Sequence, residues 1–336
     1  RVKVPLAFET EPMILPTRRA TLSASASLIN TRMPNRTIEI GVSDLAPGNA
    51  QIALDLPEGW RAERNDHGFT VSAPTNLADG RYSIAASLDG QPAMSVSPID
   101  HTHVGPTARC HRAEVTIGAW GVAIPDGKVG YIGSGNDRVG DWLREMGADV
   151  VAISDAEIDS DSALAEFDAI VIGIFAVRFR SGLLDAMPRL HRWTEAGGTL
   201  LTLYHRPWDN WDPNTVPPRR LEIGQPSLRW RVTDERADVT QIAEHPILST
   251  PNPIGETEWL GWVKERGLYF AMRWDPAYRA LLSMSDPGEE PHEGALLVAD
   301  IGKGRHVHCA LILHHQMEHL VPGAFRLLAN FIAPRE

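Results

Sequence analysis

The apolar residues of this 336-residue chain change period near Lys128, and that change dictates two kinds of layer. Upstream, short alternating runs at Thr37–Val42, Gln51–Leu56, Gly68–Ser72 and Tyr82–Leu88 are separated by turn signals such as Pro47-Gly48, Asn65-Asp66 and Asp79-Gly80. Period two with closely spaced turns buries one face of each strand, the pattern of an antiparallel β-sandwich. Downstream, unbroken apolar runs (Val129–Ile132, Val150–Ile153, Ala169–Ile174, Thr199–Leu203) alternate with helical stripes through Trp142 and Leu190. Strands covered on both faces and joined by helices form a doubly wound parallel sheet. The chain is therefore expected to be multi-domain β plus α/β: an extended lead-in over 1–19, a sandwich over 20–98, a linker over 99–128 and a flavodoxin-like α/β domain over 129–336. Trp60, after Leu-Pro-Glu-Gly, is expected to cap the sandwich core.

Charge narrows the partners. Forty-three acidic against 32 basic residues give −11, which argues against nucleic acid or an anionic membrane surface as the main partner. No apolar run approaches the roughly 18 residues of a membrane span, so no transmembrane segment is expected. Cys110 and Cys309 are far apart and form neither a disulfide framework nor a zinc spacing. The chain opens on Arg1 rather than Met, as a fragment or a processed product would. Composition names no compartment.

Ligands of open α/β sheets collect beyond the carboxyl ends of the strands. The Thr199–Leu203 run stops there in Tyr204, His205 and Arg206, and Pro207 prevents the strand from simply continuing. Tyr204, His205, Trp208, Asp209 and Trp211 are thus candidate site residues, with one imidazole as base and the tryptophans as flat apolar surfaces. Asn136 and Asp137, in the first strand-to-helix turn, and Arg178, after the third strand, face the same edge. That turn lacks the third glycine of a dinucleotide motif, so a helix cap by Asn136 or Asp137 competes with ligand binding. His314, His315 and His319 are candidate metal ligands, and His315 a candidate base, although the zinc-protease spacing is absent.

Several ordered blocks resemble the C-terminal half of large bacterial PIG-L (LmbE-like) deacetylases. They are Gly130-Tyr-Ile-Gly-Ser-Gly-Asn-Asp, Gly197-Gly-Thr-Leu, Trp230-Arg-Val-Thr-Asp-Glu, Glu244-His-Pro-Ile-Leu, Gly261-Trp-Val-Lys-Glu-Arg-Gly-Leu-Tyr-Phe, Leu281-Leu-Ser-Met-Ser-Asp-Pro-Gly-Glu, Gly302-Lys-Gly and Val321-Pro-Gly-Ala. Upstream, Leu56-Pro-Glu-Gly-Trp and Gly80-Arg-Tyr fit a sandwich of the carbohydrate-binding type. The resemblance implies a class I glutamine amidotransferase-like fold over 129–336, with Tyr204-His205 where a nucleophilic cysteine would stand. It also implies a zinc-dependent N-deacetylase domain for N-acetylglucosamine-like sugars ahead of this region. The His-Pro-Asp-Asp zinc motif of that domain is missing here, so zinc belongs to the absent domain and no cofactor is assigned to this chain.

Three functions follow as expectations. The first is a non-catalytic accessory segment that binds glycan or an N-acetylated sugar, or supports a deacetylase domain or subunit. The second is a stand-alone carbohydrate hydrolase with its site at the carboxyl edge of the sheet. The third is a protein-interaction module. A secreted full-length protein would place the chain in the periplasm or outside the cell.

Overall fold

The computed structural model describes residues 13–101, 103 and 105–335. The chain divides into two compact units, Arg1–Ala119 and Trp120–Glu336.

In the first unit the strands Gly105–Arg112, Met94–His101, Arg19–Leu22, Thr37–Ala46, Gly68–Ser72 and Arg61–Asn65 lie side by side in that order. A second sheet runs through Ala26–Asn30, Glu114–Trp120, Gly80–Leu88 and Ile52–Asp55, with Gln91–Pro92 beside Gly80–Leu88. Period two decides what goes inside. Ile38, Ile40, Phe69 and Val71 of one sheet share a core with Ile84, Leu88 and Ile117 of the other. Trp60 is buried in that core, its ring 5.5 Å from that of Tyr82.

The stretch 99–128 is not the expected linker. It carries the strands Gly105–Arg112 and Glu114–Trp120, the first paired from Gly105↔His101 to Arg112↔Met94. Gly105–Arg112 ends the described sheet, and such an edge position tolerates the prolines and polar residues that hid it from a search for alternation. The strand Arg19–Leu22 starts on the last residue of the expected lead-in. Residues 1–12 of that lead-in lie outside the described residues.

In the second unit the central strands are β1 (Lys128–Ile132), β2 (Asp149–Ala152), β3 (Ala169–Ile172), β4 (Thr199–Leu203), β5 (Tyr278–Ala280), β6 (Leu296–Ile301) and β7 (Gly304–Cys309). Their order across the sheet is β2-β1-β3-β4-β7-β6-β5. Neighbours from β2 to β7 are parallel, whereas β6 and β5 are added antiparallel. β4 meets β7 in register from Thr199↔Arg305 to Leu203↔Cys309. The helices are α1 (Val139–Met146), α2 (Asp155–Ile158), α3 (Asp161–Leu164), α4 (Ala176–Phe179), α5 (Leu183–Ala196), α6 (Leu313–Glu318) and α7 (Pro322–Phe331).

Side chains of β1 show how both faces are covered. Ile132 packs with Leu183, Met187 and Leu190 of α5, while Tyr131 points the other way against Gly140 of α1. α1 joins α7 through Trp142, which meets the Phe325 ring edge-on at 5.6 Å. Two covered faces explain why these strands read as unbroken apolar runs.

Glu258 caps a short 3₁₀ turn over Glu256–Trp259 through the Gly255 N–H. β7 stops at Cys309, and His314 and His315 sit on α6. Among the described residues no helix is long and apolar enough to cross a membrane.

Candidate functional site

β4 delivers Tyr204 to the carboxyl edge of the sheet, where it becomes the centre of an aromatic cluster. Phe175 meets it edge-on at 5.4 Å, Tyr269 stacks on it at 5.7 Å and 19°, and the His314 ring lies 5.5 Å away. Trp208 stands edge-on to Tyr269 at 5.7 Å and keeps 52% of its surface exposed. The Arg206 guanidinium covers the Phe175 ring at 4.0 Å.

Phe175 and Tyr269 both hold left-handed backbone, with φ of 58° and 59°. That conformation costs a bulky residue about 1–3 kcal/mol and accumulates at functional sites. Neither residue figured among the sequence candidates. Phe175 had a signal, since it follows β3 at the edge where ligands gather; Tyr269 had none, because Leu268–Ala271 reads locally as a strand.

Asp209 is fully buried and serves Arg206 rather than a substrate. Its carboxylate accepts the Arg206 N–H at 2.9 Å, Nε at 2.9 and 3.0 Å and Nη2 at 2.7 Å. Arg178 adds a weaker ion pair at 3.6 Å and remains half-exposed at the rim. A bidentate fork of this kind fixes the guanidinium plane. Asp209 therefore positions Arg206 over Phe175, and the expected catalytic role is corrected on that ground.

His205 is corrected for a similar reason. It is fully buried, its Nε2 accepts the Val177 N–H at 3.2 Å, and its Nδ1–H donates to the Leu203 carbonyl at 2.8 Å. Both ring nitrogens are committed, and burial drives the pKa down to about 4. No lone pair is left to take a substrate proton. Trp211 is also interior: its indole N–H donates to the Leu221 carbonyl at 2.9 Å, and its ring lies between His205 and His308.

Asp137 occupies the first strand-to-helix turn as a cap. Its oxygens accept the Tyr131 hydroxyl and the N–H groups of Val139 (2.9 Å) and Ile174 (3.0 Å). Gly173 makes room, since a Cβ there would stand 2.9 Å from Asp137 Oδ2. Asn136 donates to the Ser134 hydroxyl at 2.9 Å and stays exposed. The Asp137 carboxylate is thus committed to the turn rather than to the ligand contact expected of it.

The three histidines of the C-terminal motif do not converge on a point. His314 stacks on His315 at 5.6 Å, and His315 meets His319 at 5.5 Å nearly at right angles. Lys264 Nζ donates to His315 Nε2 at 3.0 Å, and His319 Nδ1 donates to the His315 carbonyl at 2.9 Å. A cation beside the imidazole opposes a metal ion. Among the described residues no three His, Cys, Asp or Glu side chains are placed to hold one. The residues present thus do not fit the zinc of the deacetylase family.

Chemically, the corner offers faces and polar edges rather than a nucleophile. Cys309 lies inside β7, and burial pushes its thiol up to about 12. Burial also raises the pKa of the Tyr204 phenol, which stays protonated. Among the described residues neither that hydroxyl nor the His314 ring nitrogens has a hydrogen-bond partner in the protein; burial holds the His314 ring neutral, with a pKa near 4.

No protein-family model and no curated protein matches the chain. Among solved structures, a cytoplasmic protein from Salmonella typhimurium aligns at 12% identity over 72% of this chain and 96% of its own, with a TM-score of 0.43. A beta-galactosidase from Rahnella sp. R3 aligns at 18% identity with a TM-score of 0.36; the match covers 61% of this chain and 31% of the galactosidase. A ThuA-like protein from Bacteroides uniformis aligns at 12% identity over 62% of this chain and 93% of its own, with a TM-score of 0.33. The chain therefore spans under a third of the galactosidase it matches. Likeness at this level carries no functional inference.

Proposed function

We propose that this chain is a non-catalytic accessory segment of a PIG-L-type carbohydrate N-deacetylase, a sandwich joined to an amidotransferase-like α/β domain. Its corner at Tyr204 and Trp208 would bind an N-acetylated glycan delivered to a zinc deacetylase domain or subunit. The observation that carries this reading is the half-exposed Trp208 ring, edge-on to Tyr269, which in turn stacks on Tyr204. Aromatic faces take the apolar face of a pyranose, and the free Tyr204 hydroxyl and His314 nitrogens supply hydrogen bonds to its substituents. The strained backbones of Phe175 and Tyr269 support a site held in shape. A hydrolase reading fares worse, because His205 and Asp209 are committed to neighbouring groups.

Calorimetric titration of the chain with N-acetylglucosamine and its β-1,4-linked dimer tests the proposal. Saturable binding of the dimer is expected. No binding up to millimolar sugar would overturn the glycan role.

A further inference from the structure

At the opposite, amino edge of the same sheet lies a cavity of about 420 Å³ that the glycan reading does not use. Arg305, the second residue of β7, forms part of its wall together with His245, Asp300 and Arg335, and Pro246 and Pro251 supply rigid apolar surface.

Arg305 is only 4% exposed, yet among the described residues no carboxylate lies within ion-pair distance of it. Asp300, its cross-strand neighbour, pairs instead with Arg335 at 3.0 Å. Among the described residues the Arg305 guanidinium donates once, from Nη2 to the Ala333 carbonyl, and its buried Nε has no partner. Arg266 provides the comparison within the same unit. It is equally buried, but its Nε, Nη1 and Nη2 all donate to the carbonyls of Ala237 and Trp259. A buried arginine serving only as a structural clasp is satisfied in that way; Arg305 is not.

The surrounding charge is mostly positive. Among the described residues Arg305 and Arg279 act electrostatically on His245, and Arg335 acts on Arg305, with the Asp300 carboxylate opposing them. Three guanidiniums against that carboxylate, in a chain of net charge −11, leave a local positive excess that suits a dianion. Guanidinium forks match phosphoryl oxygens, and the volume exceeds what a bare ion fills.

We propose that this cavity binds a small organic phosphate, with its phosphoryl group on Arg305 and Arg335 and its organic body against the proline wall. The site is separate from the Tyr204 corner, and probes without an N-acetyl group keep the two readings distinguishable.

Isothermal titration of the full chain with glucose 6-phosphate, glucuronate, inorganic phosphate and glucose tests it. Glucose 6-phosphate is expected to bind at least tenfold more tightly than inorganic phosphate, and glucose not at all. Arg335→Ala should weaken the sugar phosphate about tenfold, and Arg305→Met should abolish its binding. The proposal is overturned if neither phosphate binds at millimolar concentration, if glucose or glucuronate binds as well as the sugar phosphate, or if affinity survives the substitutions. Should Arg305→Met not fold, Arg335→Ala decides alone, and unchanged affinity then counts against the site.

Discussion

The backbone N–H of Val177, in the short helix after β3, donates to Nε2 of His205, beyond the end of β4, at 3.2 Å. One imidazole thereby ties two neighbouring strand ends together, since its other nitrogen holds the Leu203 carbonyl. His205→Ala leaves a buried donor and a buried acceptor unpaired and opens a cavity. A loss of about 2–4 kcal/mol is expected in urea unfolding, with glycan affinity of the folded fraction unchanged. Lost binding at full stability would return His205 to the site.

Acid should weaken the fold through buried imidazoles. Burial lowers the pKa of His205 and His314 to about 4 and of His308 to about 3, against 6.5 in the unfolded chain. Between those values the unfolded state binds protons that the native state refuses, so stability rises with pH. It is fully present above about pH 6.5 and falls progressively toward pH 4. Unfolding free energies at pH 7 and pH 5 measure this, and equal values would contradict it.

His308 is more burden than support. Both of its ring nitrogens are buried beside Trp211 without a hydrogen-bond partner among the described residues. His308→Leu should therefore raise stability by about 1 kcal/mol and flatten the acid dependence. A destabilised variant would show that the imidazole has a partner in solution.

Trp208 contributes little to folding, because half of its surface faces water. Trp208→Ala is expected to change stability by less than about 0.5 kcal/mol. The same substitution should weaken binding of the N-acetylglucosamine dimer at least tenfold. Retained affinity would move the glycan site elsewhere.

The two cysteines should differ sharply toward a thiol reagent. Cys110 is exposed, whereas Cys309 is buried with its thiol held protonated. One fast-reacting thiol in the native chain and two in denaturant are the expected count. Two fast thiols in the native chain would place Cys309 at the surface.

Parallel strands were legible because burial on both faces writes itself as apolar runs, and Thr199–Leu203 falls where the sequence puts it; the antiparallel strand Gly68–Ser72 was legible from its period of two instead. The edge strand Gly105–Arg112 was not, since an edge makes no such demand on its side chains. The corner at Tyr204 was readable from the fate of one strand, as was the placing of Trp208. Which polar residues there are committed to backbone groups was not readable. His205 and Asp209 look like catalysts in one dimension and become fasteners only once Val177 and Arg206 are beside them. Tyr269 arrives from 65 positions downstream of Tyr204, beyond the reach of any local pattern.

The pairing of β4 with β7 joins Thr199 to Arg305 across a long intervening stretch of chain. During synthesis, the β7-facing edge of β4 must therefore wait unpaired while that stretch leaves the ribosome. Long-range parallel pairing closes slowly and exposes strand edges meanwhile. The sheet's middle is thus completed only after β7 has been made, so the unit's folding is sensitive to how fast the stretch between Leu203 and Gly304 is synthesised.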